Sequence, residues 1–426
     1  MSKDILAIFG GKKALSGPLR KYRSIGNEEV EAAKKVIESG NLSEYIGAWG
    51  KNFFGGPKVL EFEKAATEFF DVKHAITVNS WTSGLVAAIG SIDIEPGDEV
   101  IVTPWTMTAT ATAILHWNAI PVFADIDPST YNLSASSIEK CISPHTRAIV
   151  VVDIFGQSAD MDEIMHLAKK YKLKVISDTA QSPGALYKKK YAGTLADVGG
   201  YSLNYHKHIH TGEGGILVTN DDQIAERLQL IRNHAEVVVE NKGVTNIANM
   251  VGHNFRLGEI ECAIGIEQLK KLSNIISKRQ HLAGMMTDGL TGLKGLITPK
   301  IGANRTHVYY VYAMQLDFKV LKTTRERICK ALNAEGVPVV SNYQNIHLLP
   351  IYQNKIAFGS KGFPWTSDIC KREVSYKKGI CPVAEHLNDF TYLGFNICLY
   401  DLDENDVKSI ITAFKKVWKN LSLLKV

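Results

Sequence analysis

A lysine surrounded by histidines and aromatic residues stands near the middle of the chain. Lys207 lies in the stretch YHKHIH (205–210), which follows the short apolar run 199–203. Burial and nearby cations lower the pKa of an ammonium group, and the resulting neutral amine can form a Schiff base with an aldehyde. The alternating histidines also suggest a metal site. We expect no metal, because no carboxylate or cysteine follows at ligand spacing.

Other polar groups follow apolar runs in the same way. Asp178 ends the run 174–177, and the stretch NSWTS (79–83) follows the run 75–78 and opens a helix. Hydroxyl groups and free backbone N–H groups at a helix N-terminus bind phosphate, although helix capping alone would also explain these residues. A buried carboxylate needs a cationic or hydrogen-bonding partner. A phosphate cradle, a carboxylate and an amine are the groups that pyridoxal 5′-phosphate (PLP) requires.

These residues must be positioned by a regular arrangement of strands. Between residues 75 and 220, short apolar runs alternate with stretches of helical periodicity, such as 108–117 and 161–171. This alternation predicts an α/β fold with a mostly parallel sheet, whose strands end at a common edge where ligands bind. The seven runs that we expect to form strands are 75–78, 99–102, 121–126, 148–155, 174–177, 199–203 and 216–219.

The pattern changes after residue 220. Helical stretches at 223–233, 259–272 and 278–290 precede a mixed segment that begins near residue 306. Further helices are expected at 324–335 and 404–418. We therefore predict two domains: residues 1–289 form an N-terminal segment and a large PLP-binding α/β domain, and residues 290–426 form a small α+β domain. The opening segment, residues 1–30, could pack against either domain.

Composition narrows the class of protein. The 426 residues are 45% hydrophobic and 22% charged, which is typical of a soluble globular chain. The net charge of +5 is too small for a nucleic-acid-binding protein. The six cysteines are far apart and no long apolar run or signal peptide is evident. We expect a cytoplasmic protein with free thiols and no membrane or nucleic-acid partner.

Four motifs in order carry a resemblance to a known family. The sequence resembles the PLP-dependent sugar aminotransferases of the DegT/DnrJ/EryC1/StrS group over nearly its whole length. The resemblance implies the aspartate-aminotransferase fold (fold type I), with a seven-stranded large domain and a small C-terminal domain. The motifs are SxxxxK (202–207) followed by TGEGG (211–215), DTAQ (178–181), GxNxRxxE (252–259) and CPVAE (381–385).

The resemblance implies a role for each matching residue. Lys207 would form the Schiff base and then act as acid and base, and Asp178 would pair with the pyridinium nitrogen. Gln181 would lie near the phenolic oxygen of the cofactor. The phosphate would be held by several polar residues, one of which, Asn254, would come from a second subunit. This implies a homodimer with two shared sites. The phosphate-binding residues would be Thr82, Ser83, Ser202 and Asn254.

The chain departs from the family pattern at two positions. Trp81 stands where family members usually have glycine, and Met107 aligns with an aromatic residue that stacks on the cofactor ring. Either Met107 packs on the ring through its sulfur, or Trp105 takes that place. The residues we expect to contact the substrate are His347, Tyr309 or Tyr310, and Arg256.

The family resemblance implies transamination in two halves. L-glutamate would convert PLP to pyridoxamine phosphate (PMP), and a keto or aldehyde sugar would then accept the amine. The acceptor would be a nucleotide-linked ketosugar, or an oxidised Kdo-type sugar acid that yields 8-amino-3,8-dideoxy-manno-octulosonate for lipopolysaccharide or a related glycan.

Two alternative functions do not involve transamination. One is a PLP/PMP-dependent sugar dehydratase on the same fold, and its members carry histidine at the lysine position. Lys207 lies five residues after Ser202 and favours transamination, although His206 and His208 flank it. The other is a binding protein without turnover, which would be expected to lose Lys207 or Asp178.

Overall fold

The seven predicted strands form one sheet. The computed structural model describes residues 5–424 of the chain, and every predicted run coincides with a strand to within a few residues. A small hairpin and a second sheet supply the other strands. In chain order the strands of this part of the chain are β1 (His74–Val78), β2 (Glu99–Val102), β3 (Ile120–Phe123), β4 (Thr146–Val152), β5 (Lys174–Asp178), β6 (Leu186–Tyr187), β7 (Lys190–Tyr191), β8 (Val198–Ser202), β9 (Gly215–Thr219), β10 (Leu296–Ile297), β11 (Tyr312–Leu316), β12 (Val339–Val340) and β13 (Tyr392–Phe395).

The large sheet is mostly parallel, as predicted. Its strand order is β1-β9-β8-β5-β4-β2-β3, and only β9 runs antiparallel to both of its neighbours within it. The strands are apolar on both faces because helices cover both sides of the sheet. β5 and β8 are neighbours, and Asp178 pairs with Gly200 in their register. The carboxyl ends of these two strands therefore bring Asp178 close to the turn that carries Lys207.

The helices also follow the sequence pattern, with one difference. The stretches 259–272 and 278–290 form a single helix, because Leu272, Ile276 and Ala283 keep helical spacing across the polar residues between them. The α-helices within 5–424 are α1 (Asn27–Ser39), α2 (Pro57–Phe70), α3 (Trp81–Gly90), α4 (Ala109–His116), α5 (Ala135–Cys141), α6 (Met161–Tyr171), α7 (Asp222–Arg232), α8 (Ala235–Lys242), α9 (Glu259–Leu290), α10 (Arg325–Ala334), α11 (Pro350–Gln353), α12 (Pro382–His386) and α13 (Glu404–Lys419).

A smaller sheet lies in the C-terminal part of the chain. Its strands are antiparallel in the order β10-β11-β13-β12, and α10 and α13 pack with it around a second hydrophobic core. Leu6 and Leu15 of the opening segment belong to this core, while α1 packs against α9. The opening segment therefore contacts both parts of the molecule. The division into residues 1–289 and 290–426 stays a prediction.

A buried ion pair fixes the strand that leads to the site. The guanidinium of Arg232 is fully buried, and its Nη1 lies 2.5 Å from Oε1 of Glu63 and 3.2 Å from the carbonyl oxygen of Thr77. Glu63 also accepts the backbone N–H of Thr77 at 2.8 Å. The pair thus joins α2 and α7 to β1, whose end leads into α3. No helix within residues 5–424 has the length and apolarity needed to span a membrane.

Candidate active site

Asp178 is a buried carboxylate held by three donors from three elements. The indole Nε1 of Trp81 donates to Oδ1 at 2.7 Å, and the hydroxyl of Thr110 donates to Oδ2 at 2.7 Å. The backbone N–H of Ala180 also donates to Oδ1, at 3.2 Å. Together these bonds replace the water that the carboxylate loses on burial and fix its orientation. The end of β5 therefore presents an oriented acid at the edge of the sheet.

Two glycines make room for the indole of Trp81. The ring lies against α3 and β8, where a Cβ atom at Gly84 would fall 2.7 Å from it and one at Gly200 only 2.3 Å from it. Any larger residue at Gly200 would collide with the ring. The departure from the family pattern at position 81 is therefore accommodated inside the core, where the indole supports Asp178 rather than filling the cavity.

Lys207 lies on the turn after β8 and is 8% exposed. Its Nζ sits 4.5 Å from the ring centre of Tyr310 and 3.4 Å from that residue's hydroxyl oxygen. Burial lowers the pKa of Lys207 to about 8, against the opposing effects of Asp178 and Cys398. Burial also raises the pKa of the Cys398 thiol to about 11, so the thiol stays protonated at neutral pH. Much of the Lys207 amine is then neutral at slightly alkaline pH.

Two connected cavities meet at Lys207. The inner cavity, about 180 Å³, lies over Asp178 and the N-terminus of α3. The outer cavity, about 630 Å³, extends toward the smaller sheet. Lys207 can therefore face a group bound in either cavity. The residues that line both are Thr106, Met107, Gln181, His206 and Lys207.

The far end of the inner cavity is rich in hydroxyl and N–H groups. Ser80 caps α3 by accepting the backbone N–H of Ser83 at 3.1 Å, and Thr82 and Ser202 line the cavity beside it. The hydroxyl of Ser83 is 2.9 Å from that of Ser80 and is not among the lining groups. A helix N-terminus with this surrounding is suited to a phosphate group.

Gln181, Tyr343 and His206 line the outer cavity together with the amine of Lys207. Oε1 of Gln181 accepts the backbone N–H of Phe155 at 2.9 Å, and its Nε2 donates to the hydroxyl of Tyr343 at 3.3 Å. Burial raises the pKa of Tyr343 to about 12, so its hydroxyl keeps its proton. Burial, and then the charge of Lys207, lowers the pKa of His206 to about 4, so this imidazole is neutral. Lys207 is thus the titrating cation in this wall of the cavity.

The two candidates for the ring-stacking position differ in location. Met107 is 63% exposed and lines both cavities. Trp105 is fully buried, donates from its indole to Oδ1 of Asn345 at 2.7 Å and packs among aromatic rings such as Tyr131 and Phe155. The structure does not bring Trp105 to the cavity, contrary to one of the two expectations, because its indole is used to join the large domain to the segment before α11.

Two of the expected substrate contacts lie away from the cavities. His347 is fully buried and pairs with Glu385 at 3.0 Å, and Tyr309 stacks on His307 with ring centres 4.2 Å apart. Tyr310 lines the outer cavity instead of Tyr309. The structure therefore does not support His347 and Tyr309 as substrate contacts, because both side chains interact with other residues in the core.

Asn254 and Arg256 also lie outside the cavities of their own chain. Nε of Arg256 donates to Oδ1 of Asn254 at 2.9 Å, and the side chain of Asn254 is exposed. Their backbone region contacts Asn79, which precedes α3. Thr110 and Tyr343 are the site residues that the sequence did not single out. A hydroxyl in the first turn of the helix after β2 was the available signal for Thr110.

The low pKa of Lys207 gives a direct prediction for the cofactor-free protein. Modification of this amine by an acylating reagent should reach half its maximal rate near pH 8, because only the neutral amine reacts. Ordinary lysines, with a pKa near about 10.4, should be modified at higher pH. Peptide mass spectrometry over a pH series measures each site, with Lys190 on the exposed β6–β7 hairpin as internal control. Equal pH profiles for the two lysines would contradict the prediction.

Comparison with known proteins identifies a family that matches most of the chain. The profile of the DegT/DnrJ/EryC1/StrS aminotransferase family matches residues 24–384. The chain is 33% identical over 358 residues to the spore coat polysaccharide biosynthesis protein SpsC of Bacillus subtilis, covering 82% of this chain and 89% of that protein. It is 37% identical over 298 residues to GDP-perosamine synthase of Caulobacter vibrioides, covering 70% and 79%.

A solved aminotransferase structure has a similar fold. An aminotransferase from Psychrobacter cryohalolentis superposes with a TM-score of 0.81 at 29% identity, over 95% of this chain and 100% of that one. The match confirms the predicted fold type I architecture. The family is one of aminotransferases, so the dehydratase alternative is not favoured. The chain belongs to the DegT/DnrJ/EryC1/StrS aminotransferase family, and its cofactor is PLP.

Proposed function

We propose that this enzyme transfers the amino group of L-glutamate to a keto or aldehyde sugar, with Lys207 and Asp178 at the reacting centre. The observation that carries the proposal is the buried Lys207 amine, whose pKa is lowered to about 8, at the junction of two cavities beside a buried carboxylate. When bound, PLP supplies an aldehyde and an electron-withdrawing ring. The donor set of the inner cavity fits this cofactor group by group.

Residues at and beside the inner cavity would each contact one part of the cofactor. Lys207 would hold the aldehyde carbon, and Asp178 would accept a hydrogen bond from the ring nitrogen. Gln181 would lie beside the phenolic oxygen. The phosphate would be held at the N-terminus of α3, and Met107 would cover the ring. The phosphate-binding residues on this proposal are Thr82, Ser83 and Ser202 of one chain and Asn254 of the second chain.

The displaced Lys207 would carry the proton in both halves of the reaction. Its pKa near 8 lets Nζ take up and release a proton at nearly neutral pH, as general acid–base catalysis requires. The hydroxyl of Tyr310, 3.4 Å from Nζ, would orient the free amine.

The outer cavity supports a polyhydroxylated acceptor. At about 630 Å³ it has room for a sugar, and amide and hydroxyl groups of Tyr310, Tyr343, Gln344 and Asn396 line it. On the described part of this chain, Lys207 is the one lysine or arginine in that lining. GDP-perosamine synthase supports a nucleotide-linked ketosugar. An oxidised Kdo-type acid, giving 8-amino-3,8-dideoxy-manno-octulosonate for lipopolysaccharide, is the second acceptor we propose to test.

A homodimer with shared sites would complete the anion-binding groups. Asn254 and Arg256 lie outside the cavities of their own chain and would reach the phosphate and the substrate of the partner. The segment before them carries exposed apolar side chains at Ile247 and Val251. Burying such residues between subunits is favourable and is typical of obligate dimers.

The first prediction from this proposal concerns the colour of the PLP-loaded enzyme and its dependence on Lys207. The wild-type enzyme loaded with PLP should be yellow and should lose that colour with L-glutamate, whereas Lys207→Ala should lack the Schiff-base band, keep only the absorbance of the unlinked aldehyde and show no amino transfer. Visible spectra before and after glutamate test this, with Lys190→Ala as a surface control. A wild-type enzyme that binds PLP but responds to no amino donor would overturn the proposal. Bleached enzyme is then offered both acceptor classes, and return of the yellow band identifies the acceptor.

The second prediction concerns the indole that supports Asp178. Trp81→Phe keeps the aromatic ring and removes the N–H donor, so we expect the dissociation constant for PLP to rise about tenfold, the value of one charge-assisted hydrogen bond. Trp117→Phe is the matched control, because its indole donates to the carbonyl oxygen of Val86 outside the site. Fluorescence titration with PLP measures both variants. If the two variants bind PLP with equal affinity, the indole N–H of Trp81 does not contribute to cofactor binding.

The third prediction tests shared sites. Lys207→Ala and Asn254→Asp should each be inactive as homodimers, since the second places a negative charge next to the phosphate. Co-expressed subunits form heterodimers in which one site has an intact lysine and an intact asparagine. A random equal mixture should recover about one quarter of wild-type activity. Tandem affinity tags isolate the heterodimer, and activity no higher than that of the parents would contradict shared sites.

A further inference from the structure

A third cavity lies apart from the two at Lys207. It has a volume of about 230 Å³ and is enclosed by the N-terminal segment, α9 and the chain after β13. It shares no lining residue with the cavities at Lys207. The residues that line it are Tyr22, Arg23, Ser24, Lys271, Ile275, Lys278, Arg279, Leu282, Ile397, Tyr400, Asp401 and Leu402.

Arg279 is a buried cation without a hydrogen-bonding partner in this cavity. The residue is 5% exposed, and its Nη1 and Nη2 are buried and form no hydrogen bond of normal geometry within residues 5–424. The guanidinium does act on the Tyr22 hydroxyl, where it opposes the rise in pKa that burial causes. Its guanidinium lies over the ring of Tyr22, 4.6 Å from the ring centre. A cation–π contact offsets only part of the hydration energy that a guanidinium loses on burial.

The acidic groups nearby are already engaged. Asp401 accepts from Nζ of Lys278 at 2.7 Å, and Glu29 accepts from Nζ of Lys271 at 2.8 Å. Arg23 is exposed at the mouth and adds a further positive charge. Arg232, the fully buried arginine of the large domain, is by contrast paired with Glu63. The charge of Arg279 therefore lacks the partners that the other buried arginines have, which are Glu63 for Arg232 and backbone carbonyl oxygens for Arg227 and Arg325.

We propose that this cavity binds a small oxyanion, a carboxylate or a phosphate, through the two free terminal nitrogens of Arg279. The planar guanidinium offers two parallel N–H donors that match two oxygens of either group. The volume of about 230 Å³ equals that of about eight liquid water molecules, which is enough for an anion with a short organic stem. Arg23 at the mouth attracts the same charge.

The proposed anion site lies between elements that also contact the turn carrying Lys207. The hydroxyl of Tyr22, whose ring supports Arg279, donates to the carbonyl oxygen of His208 at 2.6 Å. The backbone N–H of Tyr22 donates to the carbonyl oxygen of Leu399 at 2.9 Å. An anion in the cavity would therefore stabilise the contact between the opening segment, the turn that carries Lys207 and the segment after β13.

The test uses the PLP-loaded enzyme, so that the phosphate cradle of the active site is filled. Thermal unfolding is followed in sodium phosphate, in sodium acetate and in sodium chloride of equal ionic strength. We expect phosphate or acetate to raise the unfolding midpoint of the wild type in a saturable way. Arg279→Met should lose this rise and should unfold about 2 °C higher than wild type in chloride, because the uncompensated charge is gone.

Controls separate binding from general effects of salt and of folding. Lys270→Met removes a charge from the same helix outside the cavity and should respond like wild type. Arg279→Lys keeps the charge but loses the fork, so calorimetric titration should show affinity reduced at least about tenfold. This variant serves if Arg279→Met fails to fold. Phosphate and acetate arms distinguish the two anions, and equal responses of wild type and Arg279 variants would overturn the proposal.

Discussion

Burial of a carboxylate and an amine in one small cavity is the constraint on which the rest of this structure depends. Water cannot solvate either group there, so the protein must supply substitutes. Asp178 receives three hydrogen-bond donors, from Trp81, Thr110 and Ala180. Lys207 receives only a distant hydroxyl and an aromatic face, from Tyr310. The unequal solvation keeps the acid fixed and lowers the pKa of the amine, which is the combination that amino transfer needs.

The order of strands in the large sheet brings the carboxylate and the amine together. Because β5 and β8 are parallel neighbours, their carboxyl ends lie side by side and bring Asp178 and Ser202 to one edge. The antiparallel β9 then closes the turn that carries Lys207, through the bond from the N–H of Leu203 to the carbonyl oxygen of Gly214. The glycine at position 200 has a separate role, since it leaves the space that the ring of Trp81 fills.

The sequence predicts the framework better than the walls of the site. Short, mostly apolar runs predict all seven strands, because strands that are buried on both faces are largely apolar. Side-chain direction was harder to predict. Tyr310 rather than Tyr309 faces the cavity, because the ring of Tyr309 stacks on His307 in the core. His347 is predicted as a substrate contact, but its side chain pairs with Glu385, which lies 38 residues later in the chain.

The same reasoning explains why Trp81 could be read from the sequence as a departure but not as a hydrogen-bond donor. Its partner lies on β5, nearly a hundred residues away, and its space depends on glycines in α3 and β8. A large residue at a position usually occupied by glycine is tolerated only where small residues on other elements compensate. Here the compensation also adds a donor to Asp178, so the substitution changes both packing and the electrostatics of the proposed cofactor site. With the indole in place, a larger residue at position 84 or 200 would collide with its ring, so the donor to Asp178 depends on both glycines.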